Sequence, residues 1–304
     1  MKKLTHLFVC FALLFISSLA WGMDERFDYE PGYEIGRFEE DKKDRDYTRY
    51  KGHIITANPI TGEDYKSSFH YYETTEEGQH PLVLILPPIG GVNTVDKSIA
   101  SYLANRGINV LIALTPENIA DLNRPVDDID GFLIRTTVSM RHLIDFATDR
   151  EKVDGTRIGG FGASLGGIRL LTLIGVDDRI SSSMLYVAAG NIVEVMANSE
   201  QDIIKNYREA KMKEHQLETR EEYLDLLRAN STIEPLDNVH NFDPDSVYMK
   251  ISNKDTSVPT KYQWETQQAI GTDNIKETNS SHVGAVIGAL FERGRIYKFL
   301  KSKW

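Results

Sequence analysis

The chain has 304 residues, 41% of them hydrophobic and 26% charged, a balance that fits one globular domain able to bury a core without staples. Its formal net charge of −10 argues against nucleic acid or anionic lipid as a partner. Cys10 is the only cysteine, so a disulfide framework is excluded.

The first segment is built like an export signal. Met1-Lys2-Lys3 is basic, residues 7–20 are almost wholly apolar, and Ala20-Trp21-Gly22 offers small residues for cleavage. The apolar run falls short of the ~20 residues a membrane span needs. We therefore expect residues 1–22 to be a signal peptide, with the mature protein periplasmic or secreted and without stable membrane insertion. Removing them takes away Lys2 and Lys3 and no acid, so the net charge moves from −10 to −12. Cys10 would leave with the signal, and the mature chain would be indifferent to an oxidising compartment.

Residues 23–50 are polar and include the run Glu39-Glu40-Asp41-Lys42-Lys43-Asp44-Arg45-Asp46. Such a run reads as a solvated, loosely ordered arm. The remainder, 51–304, reads as one domain. Residues 52–57 and 66–73 are strand-like and separated by the turn chemistry of Asn58-Pro59 and Thr61-Gly62, which predicts an antiparallel hairpin. Pro81-Leu82-Val83-Leu84-Ile85-Leu86 is a continuous apolar run, as in a strand buried on both faces, and ends in Pro87-Pro88-Ile89-Gly90-Gly91. A helix over 96–106, closed by Gly107, leads to a buried strand over 108–114. Apolar residues at helical spacing over 127–146 predict the next helix. The alternation implies a mostly parallel sheet with helices on both faces.

The most informative stretch follows. Residues 157–161 suit a buried strand, Gly162-Ala163-Ser164-Leu165-Gly166 is a Gly-x-Ser-x-Gly pattern, and residues 168–174 read as a helix. In a strand–turn–helix context this pattern is a nucleophile elbow, in which a strained turn projects the serine hydroxyl out of the sheet. Gly162 and Gly166 flank it because strand and helix backbones pass too close for a β-carbon. A dinucleotide fingerprint is excluded, because Gly160-x-Gly162 is followed by glycine only at 166, and the phosphate loop's Lys-Ser/Thr ending is absent.

Beyond a strand over 180–188, residues 191–241 interrupt the rhythm with charged, helical sequence. Residues 202–216 are amphipathic, and Thr219-x-x-Glu222 forms a capping box. Strands over 246–252 and 274–278 and a closing helix over 285–300 complete the chain.

From Val153-Asp154-Gly155-Thr156-Arg157-Ile158 into Gly162-x-Ser164-x-Gly166-Gly167, the chain resembles the α/β-hydrolase superfamily, in its dienelactone hydrolase and prolyl-oligopeptidase branch. The resemblance runs from about Tyr65 to the C-terminus, with a poor match near 191–242. It implies an α/β fold with a mostly parallel, twisted sheet of about eight strands, and it makes 191–241 a small helical cap. It also implies a triad in the chain order Ser, acid, His. Asp255 follows the strand Val247-Tyr248-Met249-Lys250-Ile251-Ser252 and precedes Val258-Pro259, as the family's acid loop does. His282 follows the last strand, again at the family's position. Asp243, Asp245 and Glu277 compete for the acid role, whereas the other histidines precede Ser164 or lie in the cap. For the oxyanion hole the resemblance implies the amide of Leu165 and one from Ile89 or Gly90, although Pro87-Pro88 stands where the family has His-Gly. The expected activity is that of an exported serine hydrolase cleaving carboxylic esters. A peptidase or acyltransferase of the same fold, or a silent fold that only binds, remains open. A small ester or peptide is the partner expected, with no cofactor and no metal. The oligomeric state is not legible.

Overall fold

The computed structural model describes residues 24–115 and 117–304. The expected signal segment and Cys10 lie outside them. One nine-stranded sheet organises the chain: β1 (Glu34–Lys43), β2 (Tyr47–Ala57), β3 (Asp64–Thr74), β4 (His80–Leu86), β5 (Asn109–Ala113), β6 (Val153–Ala163), β7 (Ile180–Tyr186), β8 (Val247–Ser252) and β9 (Ile275–Thr278). Their order across the sheet is β1-β2-β3-β5-β4-β6-β7-β8-β9. The pairs from β1 to β3, and β3 with β5, are antiparallel, and every pair from β5 through β4 to β9 is parallel.

The apolar run of β4 explains why it sits at the centre. Leu82, Leu84 and Leu86 enter one core and Val83 and Ile85 the other, as the strand's two-residue period requires. On the first face pack α2 (Ile129–Thr148) and α3 (Leu165–Val176). On the second lie α1 (Thr94–Ala104) and α9 (Arg293–Lys301), the last element of the chain. Between β7 and β8 come α4 (Ile192–Asn198), α5 (Asp202–Glu214) and α6 (Arg220–Asn230), then a 3-10 segment Pro235–Asn241. Thr219 and Glu222 make the capping box read from the sequence.

Two expectations are corrected. The segment expected as an arm over 23–50 is, in its described part 24–50, not loose: β1 pairs along its length with β2, which is why the sheet has nine strands rather than about eight. The side chains of β1 are nearly all exposed, so it carries no apolar periodicity to read. Its ion pairs, such as Lys51 with Asp41 at 2.7 Å, are solvent-exposed and worth only ~0–1 kcal/mol each. The backbone ladder and Phe38, which stacks on Tyr50 and lies under Arg150, hold it instead. Ahead of it, Phe27 is fully buried, worth about 1.5–3 kcal/mol. Arg141 Nη1 donates to its carbonyl at 2.8 Å, while Arg26 reaches Thr232 beyond α6. The predicted closing helix is also divided, into α8 (His282–Gly288), a 3-10 turn Ala289–Phe291 and α9. Here α7 denotes Thr260–Ile270, which links β8 to β9.

No helix among the described residues is long and apolar enough to cross a membrane.

Candidate active site

Ser164 stands between β6 and α3 with φ 56° and ψ −129°, a conformation that costs a non-glycine residue energy. The turn is fixed from both sides. Ser164 N donates to Tyr186 O of β7 at 2.8 Å, and Ser164 O accepts the amides of Gly167 and Ile168 as the helix begins. A β-carbon on Gly162 would collide with the backbone of Gly166, and one on Gly166 with the carbonyl of Leu86, so the flanking glycines are required by space. Val187, just past β7, also has positive φ, 46°, although it is buried and β-branched. Nothing in the sequence marks that second strained residue, which turns the chain from the sheet toward α4.

Asp255 lies in the loop that follows β8, and His282 opens α8. His282 Nε2 is 2.9 Å from Ser164 Oγ, and His282 Nδ1 is 2.7 Å from Asp255 Oδ2. A carboxylate can only accept, so Nδ1 carries the proton and the Nε2 lone pair faces the serine hydroxyl. Asp255 Oδ1 accepts the amides of Ser257 at 2.9 Å and Val258 at 3.0 Å, while Oδ2 also accepts Gln263 Nε2 at 2.9 Å. The helix bearing His282 is itself tied down: Lys250 Nζ of β8 donates to Ala285 O at 3.0 Å and to Glu292 Oε1 at 2.8 Å. Burial pulls Lys250 below its ordinary value, against the pull of Glu292.

The competing acids lie elsewhere. Asp243 and Asp245 sit at the 3-10 turn Pro244–Ser246 before β8, where Asp243 caps the amide of Asp245. Glu277 is on β9 and accepts Asn253 Nδ2.

Leu165 is the first residue of α3, so its amide is among the first-turn donors without an intrahelical acceptor. Across from it, Gly91 N donates to Pro88 O at 3.1 Å and closes a turn, with Gly90 at φ 92°. Ile89 and Leu165 both line a cavity of about 30 Å³ at Ser164, walled by Ile119, Ile168, Ile192, Val195, Met196 and Ile204. Four of those walls come from α4 and α5, which places part of the segment 191–241 over the serine. The backbone bond from Glu200 N to Thr256 O, 2.8 Å, joins that segment to the acid loop. Ser164 is only 2% exposed. A wider recess of about 300 Å³ shares Ile89 and Leu165 with this cavity and is edged by Thr115, Glu117 and Asn118. Glu117 is saturated there by Tyr65, Arg124 and Arg135, and burial is outweighed by those partners, which hold it down to about 2. A larger cavity, about 560 Å³, lies away from the serine, between residues 28–32 and α2.

A mostly parallel sheet with a strained serine turn at its carboxyl edge, an acid after one later strand and a histidine after the next defines the α/β-hydrolase fold, and this chain has it. No protein-family model matches the sequence, and no curated protein does. Among solved structures, an acetyl xylan esterase from Paenibacillus sp. R4 is similar at TM-score 0.70 and 14% identity, over 91% of this chain and 90% of that one. Acetyl xylan esterase 1 from Thermoanaerobacterium sp. JW/SL YS485 is similar at TM-score 0.64 and 16% identity, over 87% and 89%. Est1E from Butyrivibrio proteoclasticus is similar at TM-score 0.56 and 14% identity, over 83% and 98%. At such identities the likeness establishes the fold.

Proposed function

We propose that this protein is a serine hydrolase that cleaves carboxylic esters of short acyl groups. The observation that carries the reading is the continuous hydrogen-bond chain from Ser164 through His282 to Asp255, facing a small apolar cavity. His282 Nε2 takes the hydroxyl proton as Ser164 Oγ attacks the ester carbonyl. Asp255 holds the ring and stabilises the imidazolium that forms. The amides of Leu165 and of Ile89 or Gly90 receive the oxyanion. The alcohol leaves with the proton from His282, and water, activated by the same nitrogen, hydrolyses the acyl-enzyme. General base catalysis contributes about 10²–10⁴-fold and one oxyanion donor about 10²–10³-fold, so neither suffices alone.

The acyl preference rests on size. The cavity volume of about 30 Å³ is about two to three times the ~10–15 Å³ that one water needs on the same measure, room for a short chain only. The similar structures named as acetyl xylan esterases point the same way. Export to the periplasm or medium belongs to the same reading, on the strength of residues 1–22. N-terminal sequencing of the mature protein is expected to start near Met23, and retention of residues 1–22 in membrane-bound material would refute export.

A fluorophosphonate probe tests the chemistry. Labelling of the folded protein that vanishes in Ser164→Ala, with hydrolysis of a short-chain ester, supports the reading. Folded protein that does not label would instead be a hydrolase fold that only binds. Cleavage of peptides in preference to esters would move it to the peptidases.

A further inference from the structure

We infer that Gln263 is a positioning residue of the relay, the group that fixes which way the Asp255 carboxylate faces; this rests on the ester-hydrolase reading. Gln263 lies on α7, one turn past the acid loop, and is fully buried. Its side-chain amide holds that loop at three points. Oε1 accepts Ser252 N at 3.0 Å, where β8 ends. Nε2 donates to Asp255 Oδ2 at 2.9 Å, in the middle, and to Val258 O at 2.7 Å, at the far end.

The amide has one possible orientation. Flipped, its NH₂ would face the Ser252 N–H, and its oxygen would face a carboxylate and a carbonyl. Each hydrogen of the NH₂ group is committed, as is the oxygen, so no rotation improves the arrangement. The loop carries a second clamp from the same helix, because Thr260 Oγ1 donates to Ser252 O at 2.6 Å. That clamp holds the backbone and does not touch the carboxylate.

The division of labour on Asp255 is what gives Gln263 its role. Oδ1 is occupied by the amides of Ser257 and Val258, and Oδ2 by His282 and Gln263. A carboxylate offers about four acceptor sites, and four are filled. Without the Gln263 N–H, Oδ2 keeps only the histidine, and the two amides on Oδ1 are left alone to resist a twist of the carboxylate that lengthens the Nδ1 bond. The imidazolium formed in the reaction would then be less well oriented and stabilised. The effect falls on turnover, since Gln263 touches Asp255 and does not line the cavity at Ser164.

The test uses the full mature protein with p-nitrophenyl acetate, following kcat and KM from pH 5 to 10, with thermal melts for each variant. Gln263→Leu removes the donor, and kcat is expected to fall about 10–100-fold with KM within about twofold of wild type. Gln263→Glu is nearly isosteric. While the introduced carboxyl is protonated it still donates to Asp255. Once it ionises, two carboxylates abut, so the proton is shared and then lost as pH rises. The expected signature is a new alkaline limb that turns the rising wild-type profile into a bell, at a pH where the melts show the variant still folded. A merely structural glutamine would not produce that limb. Should Gln263→Leu not fold, Gln263→Glu decides alone. Wild-type kcat in Gln263→Leu, or an unchanged pH profile in folded Gln263→Glu, overturns the positioning role and leaves the ester-hydrolase reading standing. A wild-type protein that neither turns over the ester nor labels with the probe overturns both.

Discussion

Glu234 accepts the amide of Ile192 at 2.6 Å, and through its other oxygen the amide of Val193 at 3.3 Å. The carboxylate thus sits on the first turn of α4, whose Ile192, Val195 and Met196 wall the cavity at Ser164. Burial pushes Glu234 up to about 7 in spite of those two amides, from an ordinary value of 4.5. Between those values the folded protein holds a proton that the unfolded chain has released, so stability falls as pH rises through that window. Glu234→Gln cannot titrate. Melting temperatures measured from pH 4.5 to 8 are expected to drop in the wild type relative to this variant, and parallel curves would refute the assignment.

The acid of the relay is separated from its neighbours by substitution of one charge at a time. Asp255→Asn is expected to lower kcat by up to ~10⁴-fold while the fold persists, because the amide favours the wrong imidazole tautomer. Asp243→Asn and Asp245→Asn should change the rate little, since both lie before β8. An ester assay on the three variants, with thermal melts as control, checks this. Near-wild-type turnover in Asp255→Asn would sink the assignment.

Acyl length should follow the walls of the cavity. Trimming Met196 to alanine opens space beside Ser164, and a methylene in such a pocket is worth about 10–200-fold in discrimination. The ratio of kcat/KM for butyrate over acetate esters is expected to rise about tenfold or more in Met196→Ala. An unchanged ratio would mean that the acyl group binds elsewhere.

The nucleophile's backbone should be costly to the fold. Ser164→Gly and Ser164→Ala both lose the hydroxyl, but only glycine is at ease at φ 56°. Backbone strain of this kind is worth about 1–3 kcal/mol. Scanning calorimetry is expected to place Ser164→Gly a few degrees above Ser164→Ala. The reverse order would show that the turn is relaxed as it stands.

The contrast between what could and could not be read from the sequence has physical causes. Ser164 was readable because the turn demands glycine at 162 and 166 for space, and space constraints leave a mark in residue types. Asp255 and His282 are legible only through the family resemblance, by their places after successive strands, and the structure brings both to Ser164. β1 was not readable, because an edge strand exposed on both faces has no apolar period. Val187 and Gln263 were not, because a strained valine and a buried glutamine look like any others until the loops around them are folded. The closing helix reads as one piece in the sequence because the apolar spacing runs on through Ala289–Phe291, where the backbone tightens to a 3-10 turn.

The bond from Glu200 N to Thr256 O ties the helices walling the cavity to the loop that carries Asp255. Ser164, only 2% exposed, lies under α4 and α5, and the link between those helices is tethered one residue from Asp255. Lifting them either breaks that tether or drags the acid loop along. The walls of the cavity and the seating of Asp255 are therefore mechanically coupled: a shift of α4 and α5 is felt one residue from the carboxylate that His282 leans on.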